Sequence, residues 1–156
     1  MTVIDDIAEV EATVASARSA QLRFEAHGSQ LRYDRAAQAA AWAIMEPTRN
    51  THLAELAVET TGLGNVPDKI TKNHRKTLGL MRDIATAKTH GIISEDAETG
   101  ITQIARPIGV IGAVVPSTNP AATPANNIIN ALKCGNAIVL SPSPKGVPAC
   151  EVLIGY

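Results

Sequence analysis

Residues 108–120 read Ile108-Gly109-Val110-Ile111-Gly112-Ala113-Val114-Val115-Pro116-Ser117-Thr118-Asn119-Pro120. The run from Ile108 to Val115 is apolar without alternation, the pattern of a strand buried on both faces of a parallel sheet. It changes abruptly into a turn of prolines, hydroxyls and one carboxamide. A helix follows, with Thr123 placed as its cap and Pro124 at its first position, where a missing N–H costs nothing. Ile128, Ile129 and Leu132 form the inner side of that helix and Gly135 ends it. Ala137-Ile138-Val139-Leu140 is a second buried strand, Ser141-Pro142-Ser143-Pro144-Lys145-Gly146 a second loop, and another helix starts near Pro148. This β-α-β-α order with a short crossover predicts parallel strands and a right-handed connection. The loops after Val115 and Leu140 then lie side by side at the carboxyl edge, where α/β sheets bind ligands.

Upstream, apolar residues recur at helical spacing from Ile4 to about Met45, with Ile7, Val10, Val14 and Leu22 on the inner stripe. Pro47 ends the Ala-rich segment holding Trp42. Thr48 and Asn50 offer caps for a helix carrying Leu53, Leu56 and Ala57, stopped by Gly62-Leu63-Gly64-Asn65. Pro67 and Asp68 open a further helix whose stripe is Ile70, Thr77, Leu78, Met81, Ile84 and Ala85, with Lys69, Lys72, Arg75, Lys76 and Arg82 largely on the outer face. That basic face reads as a solvated surface or as a dock for coenzyme phosphates. Residues 92–95 and 101–105 are β-prone runs around Asp96-Ala97-Glu98-Thr99-Gly100, a β-hairpin expected to lean on the rest of the protein or on another subunit.

The fold class expected is therefore α/β: N-terminal helices, a hairpin, and the first β-α-β-α of a Rossmann-like parallel sheet. Two doubly apolar strands with one helix between them cannot cover such a sheet, so the expectation is an N-terminal portion of a longer protein. The bulk numbers agree with one globular unit: 156 residues, 45% hydrophobic and only 3% aromatic. Lys plus Arg (14) nearly match Asp plus Glu (15), which removes the positive field that nucleic acid or anionic lipid would require. Met1-Thr2-Val3-Ile4-Asp5-Asp6 is acidic, unlike the start of a signal peptide, and residues 36–45 are far too short to span a bilayer, so a cytoplasmic location is expected. Cys134 and Cys150 form neither a disulfide framework nor a zinc site, and His27, His52, His74 and His90 fit no ligand spacing; no metal is expected.

The ordinary dinucleotide fingerprint and the P-loop are both missing, since Gly109 and Gly112 lie inside the strand. What occupies the first strand end is Pro116-Ser117-Thr118-Asn119-Pro120. Two readings of Asn119 stand here. It caps the turn or the next helix, as asparagine often does. Or its carboxamide, a neutral donor on a rigid strand end, stabilises a developing oxyanion.

Residues 108–120, together with Ala131-Leu132-Lys133-Cys134-Gly135-Asn136-Ala137-Ile138-Val139-Leu140-Ser141-Pro142, resemble the aldehyde dehydrogenase superfamily around its oxyanion asparagine and second nucleotide-domain strand. Ordinary members show Pro-Trp-Asn there; Pro-Ser-Thr-Asn-Pro is similar to the coenzyme-A-acylating branch. Leu53-Ala54-Glu55-Leu56 and Glu59-Thr60-Thr61-Gly62 extend the resemblance to the helical front. The resemblance implies that Asn119 is catalytic, donating to the substrate oxygen, and that Val114, Val115, Pro116, Ser117 and Thr118 border the nicotinamide-ribose end of NAD or NADP. Ser141, Pro142 and Ser143 stand at the other end of the cofactor site. Ser141 replaces the lysine that holds the adenosine ribose in ordinary members, which leaves NAD against NADP open; Lys145 either substitutes for it or caps the loop.

The same resemblance implies a catalytic domain with its nucleophilic cysteine elsewhere, so neither Cys134 nor Cys150 inherits that role. Cys150, in the first turn of the last helix, would still have its pKa lowered by the dipole. Residues 1–90 become the helical front of the nucleotide-binding domain, 91–107 an oligomerisation-type hairpin, and 108–156 the start of the NAD(P)-binding sheet. The implied reaction joins an aldehyde to coenzyme A, in a homodimer or homotetramer; the stretch 115–130 is most similar to sulfoacetaldehyde-oxidising members, with acetaldehyde or another short aldehyde as further candidates. A water-using aldehyde dehydrogenase, or a non-catalytic nucleotide-binding or assembly module, are the alternatives.

Overall fold

The structure, a computed structural model, describes the backbone of residues 3–156 and side-chain burial from Asp6 onward. Met1 and Thr2, which open the acidic segment discussed above, lie outside the described residues. In chain order the elements are helices α1 (Val3–Ala26), α2 (Gln30–Met45), α3 (Pro47–Thr61) and α4 (Val66–Ile84), strands β1 (Gly91–Asp96), β2 (Ile101–Ala105) and β3 (Val110–Val115), helix α5 (Ala122–Lys133), strand β4 (Ala137–Pro142), a single 3-10 turn (Pro144–Gly146) and helix α6 (Val147–Gly155).

The helical tract of residues 4–45 is broken in two. Ser29 caps α2 by accepting the Arg32 N–H at 3.2 Å, and Gly28 is needed before it because a Cβ there would come within 2.4 Å of the Tyr33 hydroxyl. The expected apolar face of α1 is also not buried. Ile7, Val10 and Leu22 are exposed, and Ala12, Ser16, Ala17 and Ala20 line an open groove of about 1060 Å³ against α2, α5 and β4, in which only Ala17 of the four is half-buried. Buried Gln21 ties the helix down by donating to the Gly135 carbonyl at 3.2 Å.

Glu46, rather than Thr48 or Asn50, caps α3: its carboxylate accepts the N–H groups of Thr48 and Arg49 at 3.2 and 2.8 Å. Those bonds, the one from Arg49 first, hold its carboxyl below the usual range. Asn50 is buried inside the helix, donating to the Ile70 carbonyl and accepting from Asn73 at 3.1 and 2.9 Å. Gly62 ends α3 in the left-handed region, and Asn65, rather than Pro67 and Asp68, caps α4. On α4, Thr77 is buried as expected and Leu78 is not. Lys69 lies on the inner side, contrary to its assignment to the basic outer face.

β1 and β2 form the expected antiparallel hairpin, its turn held by Asp96, which accepts from the Glu98 and Thr99 N–H groups. Its Ile92, Ile93, Ile101 and Ile104 are exposed. β3 and β4 form the expected parallel pair, in register from Val110 beside Ala137 to Val115 beside Pro142. β3 begins at Val110, two residues late, because the buried Asn136 side chain accepts the N–H groups of Ile108 and Gly109 at 2.8 and 3.0 Å and holds the entry in an irregular turn. Burial on both faces is not found: Val115 is buried, but Val114 is 84% exposed and Ile108 82%. A two-stranded sheet has too few neighbours to cover both faces.

α5 starts one residue before Thr123, with Ala121 at the cap and no side-chain cap bond, so Pro124 is its third residue. The missing N–H still costs nothing, because the first four have no intrahelical partner. Gly135 turns the chain from α5 into β4 at φ +73°. The core consists of Ile44, Leu53, Ala121, Ala125 and Leu153 beside Ala37, Ala41 and Ile129, so α2 and α5 carry most of it. Lys133, buried at the end of α5, pairs with Asp34 on α2. Burial opposes ionisation of Asp34, but hydrogen bonds from Lys133 and Gln30 outweigh it and hold the carboxyl below its usual range.

Candidate active site at the paired strand ends

The register of β3 and β4 places Val114 beside Ser141 and Val115 beside Pro142, which brings the two loops together. Two further contacts join them. The Ser143 N–H donates to the Val115 carbonyl at 2.9 Å, extending the ladder past the strands. Pro120, fully buried, packs on Gly146, where an added Cβ would meet the Pro120 Cβ at 3.1 Å and the Ser143 Oγ at 3.2 Å. Ser117 and Asn119 are half-buried, whereas Val114, Pro116, Thr118 and Ser141 are exposed. An open edge therefore carries apolar Val114, the hydroxyls of Ser117, Thr118 and Ser141, and the Asn119 carboxamide.

The helix cap that Asn119 could have supplied is not made. Its main-chain carbonyl accepts the Thr123 N–H at 3.2 Å, but among the described residues its carboxamide makes no hydrogen bond. The donor is left unclaimed at the strand end. Beneath the turn, the Lys69 Nζ donates to the Thr118 carbonyl at 3.3 Å. Burial, and then the charge of Lys72, lower the Lys69 pKa. No sequence pattern singled out Lys69, because charged residues on an amphipathic helix ordinarily face water; its place three residues after a helix start was the one irregular feature.

At the second strand end, Ser143 is half-buried and its Oγ is buried without a hydrogen-bond partner. An orphaned hydroxyl next to exposed Ser141 fits a polar ligand lying along this edge. Lys145 is exposed in the loop beyond it. Thr71, Lys72, Arg75 and Lys76 line a shallow depression on the solvent side of α4, to which none of the strand-end residues contributes.

Neither thiol is prepared for attack. Cys150 is buried on α6, and burial followed by the nearby Glu151 charge raises its pKa, so desolvation overrides the dipole effect expected from its position. Burial likewise raises the Cys134 thiol, with Lys133 opposing. Among the described residues no group of three His, Cys, Asp or Glu side chains could hold a metal, and no helix is long and apolar enough to cross a membrane.

A parallel pair with a polar turn at its first end, entered through Asn136 and flanked by an exposed hairpin, matches known proteins over nearly its whole length. Residues 4–155 match the Aldehyde dehydrogenase family. The chain belongs to that family. Among curated members, an acylating sulfoacetaldehyde dehydrogenase of Cupriavidus necator is 63% identical over 94% of this chain, which spans 30% of that relative's length. An acetylating aldehyde dehydrogenase from Geobacillus thermoglucosidasius superposes with a TM-score of 0.88 at 34% identity, over 96% of this chain and 33% of that one. A propionaldehyde dehydrogenase of Rhodopseudomonas palustris, solved with bound CoA and an acylated cysteine, gives a TM-score of 0.75 at 30% identity, over 92% of this chain and 32% of that one. This aldehyde dehydrogenase chain thus spans about a third of the relatives it matches.

Proposed function

We propose that the full-length protein is a coenzyme-A-acylating aldehyde dehydrogenase using NAD or NADP, and that Asn119 is its oxyanion donor. The observation that carries this reading is the Asn119 carboxamide, unclaimed at an open strand end while its own main chain is fixed by Thr123. In the proposed reaction a cysteine thiolate, from neither Cys134 nor Cys150, adds to the aldehyde carbon and the carbonyl oxygen gains negative charge. The Asn119 N–H donates to that oxygen without giving up a proton, which lowers the barrier to its formation. A bound nicotinamide supplies the hydride acceptor, which leaves the acyl group on sulfur as a thioester. Val114, Val115, Pro116, Ser117 and Thr118 are proposed to border the nicotinamide-ribose end of the cofactor, and Ser141, Pro142 and Ser143 the adenosine end. The coenzyme A thiol then displaces the enzyme thiol, releasing acyl-CoA.

The 63% identity to the Cupriavidus necator enzyme favours sulfoacetaldehyde as substrate. The exposed isoleucines of the hairpin favour a homodimer or homotetramer, since a lone two-stranded ribbon is marginal in water. A cytoplasmic location is proposed with it. To test the reaction, the full-length protein is supplied with sulfoacetaldehyde, acetaldehyde or propionaldehyde, with NAD or NADP and coenzyme A, and the products are identified by mass spectrometry. The expected product is acyl-CoA, formed fastest from sulfoacetaldehyde. Free acid formed regardless of coenzyme A would replace this reading with the water-using reaction, and no nucleotide reduction with any of the three would remove it.

A further inference from the structure

We infer that Lys69 is a positioning residue that holds the Asn119 turn from beneath through the Thr118 carbonyl. The inference rests on the proposed role of Asn119. Lys69 stands where several effects oppose a cation: in the first turn of α4, where the dipole is unfavourable, three residues from Lys72, and with only 9% of its surface exposed. Among the described residues no carboxylate pairs with it, and its hydrogen-bond partner is the neutral Thr118 carbonyl. Its pKa is lowered, as such surroundings require. A side chain that breaks local preferences without an ionic partner is retained for what it touches.

What it touches is the peptide group joining Thr118 to Asn119. With the Thr118 oxygen held on Nζ and the Asn119 oxygen held by the Thr123 N–H, both peptide planes flanking the Asn119 Cα are fixed. Only the side-chain torsions of Asn119 remain free. The lysine stem reaches the turn across Gly64, where an added Cβ would lie 3.7 Å from the Lys69 Cε, and α4 itself is anchored to α3 by the buried Asn50 and Asn73 pair. The oxyanion donor is thus tied to the helical layer as well as to the sheet.

The test is a double-mutant cycle in the full-length enzyme: Lys69→Met, Asn119→Ala and the pair, read by single-turnover acylation. Lys69→Met is expected to lower the acylation rate about ten- to a hundredfold with little change in KM for nucleotide or coenzyme A, because a misplaced donor loses transition-state rather than ground-state binding. In the Asn119→Ala background it is expected to change the rate by less than about twofold. Lys69→Arg, which keeps a donor and a charge, restores most of the rate. An equal loss in both backgrounds, or no loss in the wild-type background, overturns the positioning role. If instead Asn119→Ala alone leaves the rate unchanged, it is the proposed function that fails. Should Lys69→Met not yield folded protein by circular dichroism, Lys69→Gln is carried through the same cycle with the same criteria.

Discussion

The ends of β3 and β4 are adjacent in register but held in different ways. The turn after β3 is fixed on both sides, by Lys69 from the helical layer and by Thr123 from α5, and what it leaves free is one carboxamide. The segment after β4 is joined to β3 by a single main-chain bond from Ser143, and it leaves the Ser143 hydroxyl unpaired and Ser141 exposed. Such a contrast suits two tasks. A group aimed at developing charge needs a rigid mount, whereas an edge that accepts a ligand needs donors and acceptors not yet in use.

The largest way to break the second end is at its root. Gly135 turns α5 into β4 at φ +73°, and an added Cβ would meet the Tyr33 ring within 2.5 Å of its Cζ. Gly135→Ala is expected to destabilise the protein by about 3 kcal/mol or more, combining left-handed strain with overpacking, as measured by denaturant unfolding. Gly146→Ala attacks the contact between the two ends, where the space is short by a few tenths of an ångström. A loss of about 1–3 kcal/mol is expected, with a fall in turnover because the Pro120 side of the Asn119 turn is displaced. An unchanged stability would show that Pro120 can give way freely.

Ser141→Lys sharpens the comparison without disturbing packing, since Ser141 is exposed. The added cation is expected to raise the preference for NADP over NAD by about tenfold with the rate of chemistry unchanged, as read from the ratio of kcat/KM values. The smallest effect is expected at Cys150. Burial raises its pKa, so the thiolate is scarce near neutrality, and alkylating reagent should leave it unmodified in the folded protein at pH 7 by mass spectrometry. Rapid labelling would mean that α6 opens and would revive the thiol as a reactive group.

Much of this contrast was legible in the chain itself. The parallel pair follows from the unbroken apolar run of residues 108–115 and from the short crossover to Ala137, and the hairpin from the turn formers around Gly100. Periodicity failed on α1. The Ile7, Val10 and Val14 stripe stays exposed, and what ties the helix down is the polar Gln21, buried and donating to the Gly135 carbonyl 114 residues later. The caps lie two to four residues before the expected Thr48, Asn50, Pro67 and Asp68, because the Glu46 and Asn65 side chains accept the first free N–H groups of α3 and α4. Of the candidate site, the adjacency of the strand ends was readable, whereas Lys69 was not. Its burial depends on the approach of α4 to a turn 49 residues later, and nothing local in the chain encodes that contact.

The central claim is that the free carboxamide of Asn119 stabilises charge on the substrate oxygen. The most direct measurement is the single-turnover acylation rate of full-length Asn119→Ala at saturating aldehyde and nucleotide, alongside its thermal midpoint. A fall of about a hundredfold or more with the midpoint little changed is predicted, since the side chain makes no internal hydrogen bond among the described residues. A folded variant that acylates at the wild-type rate would contradict it.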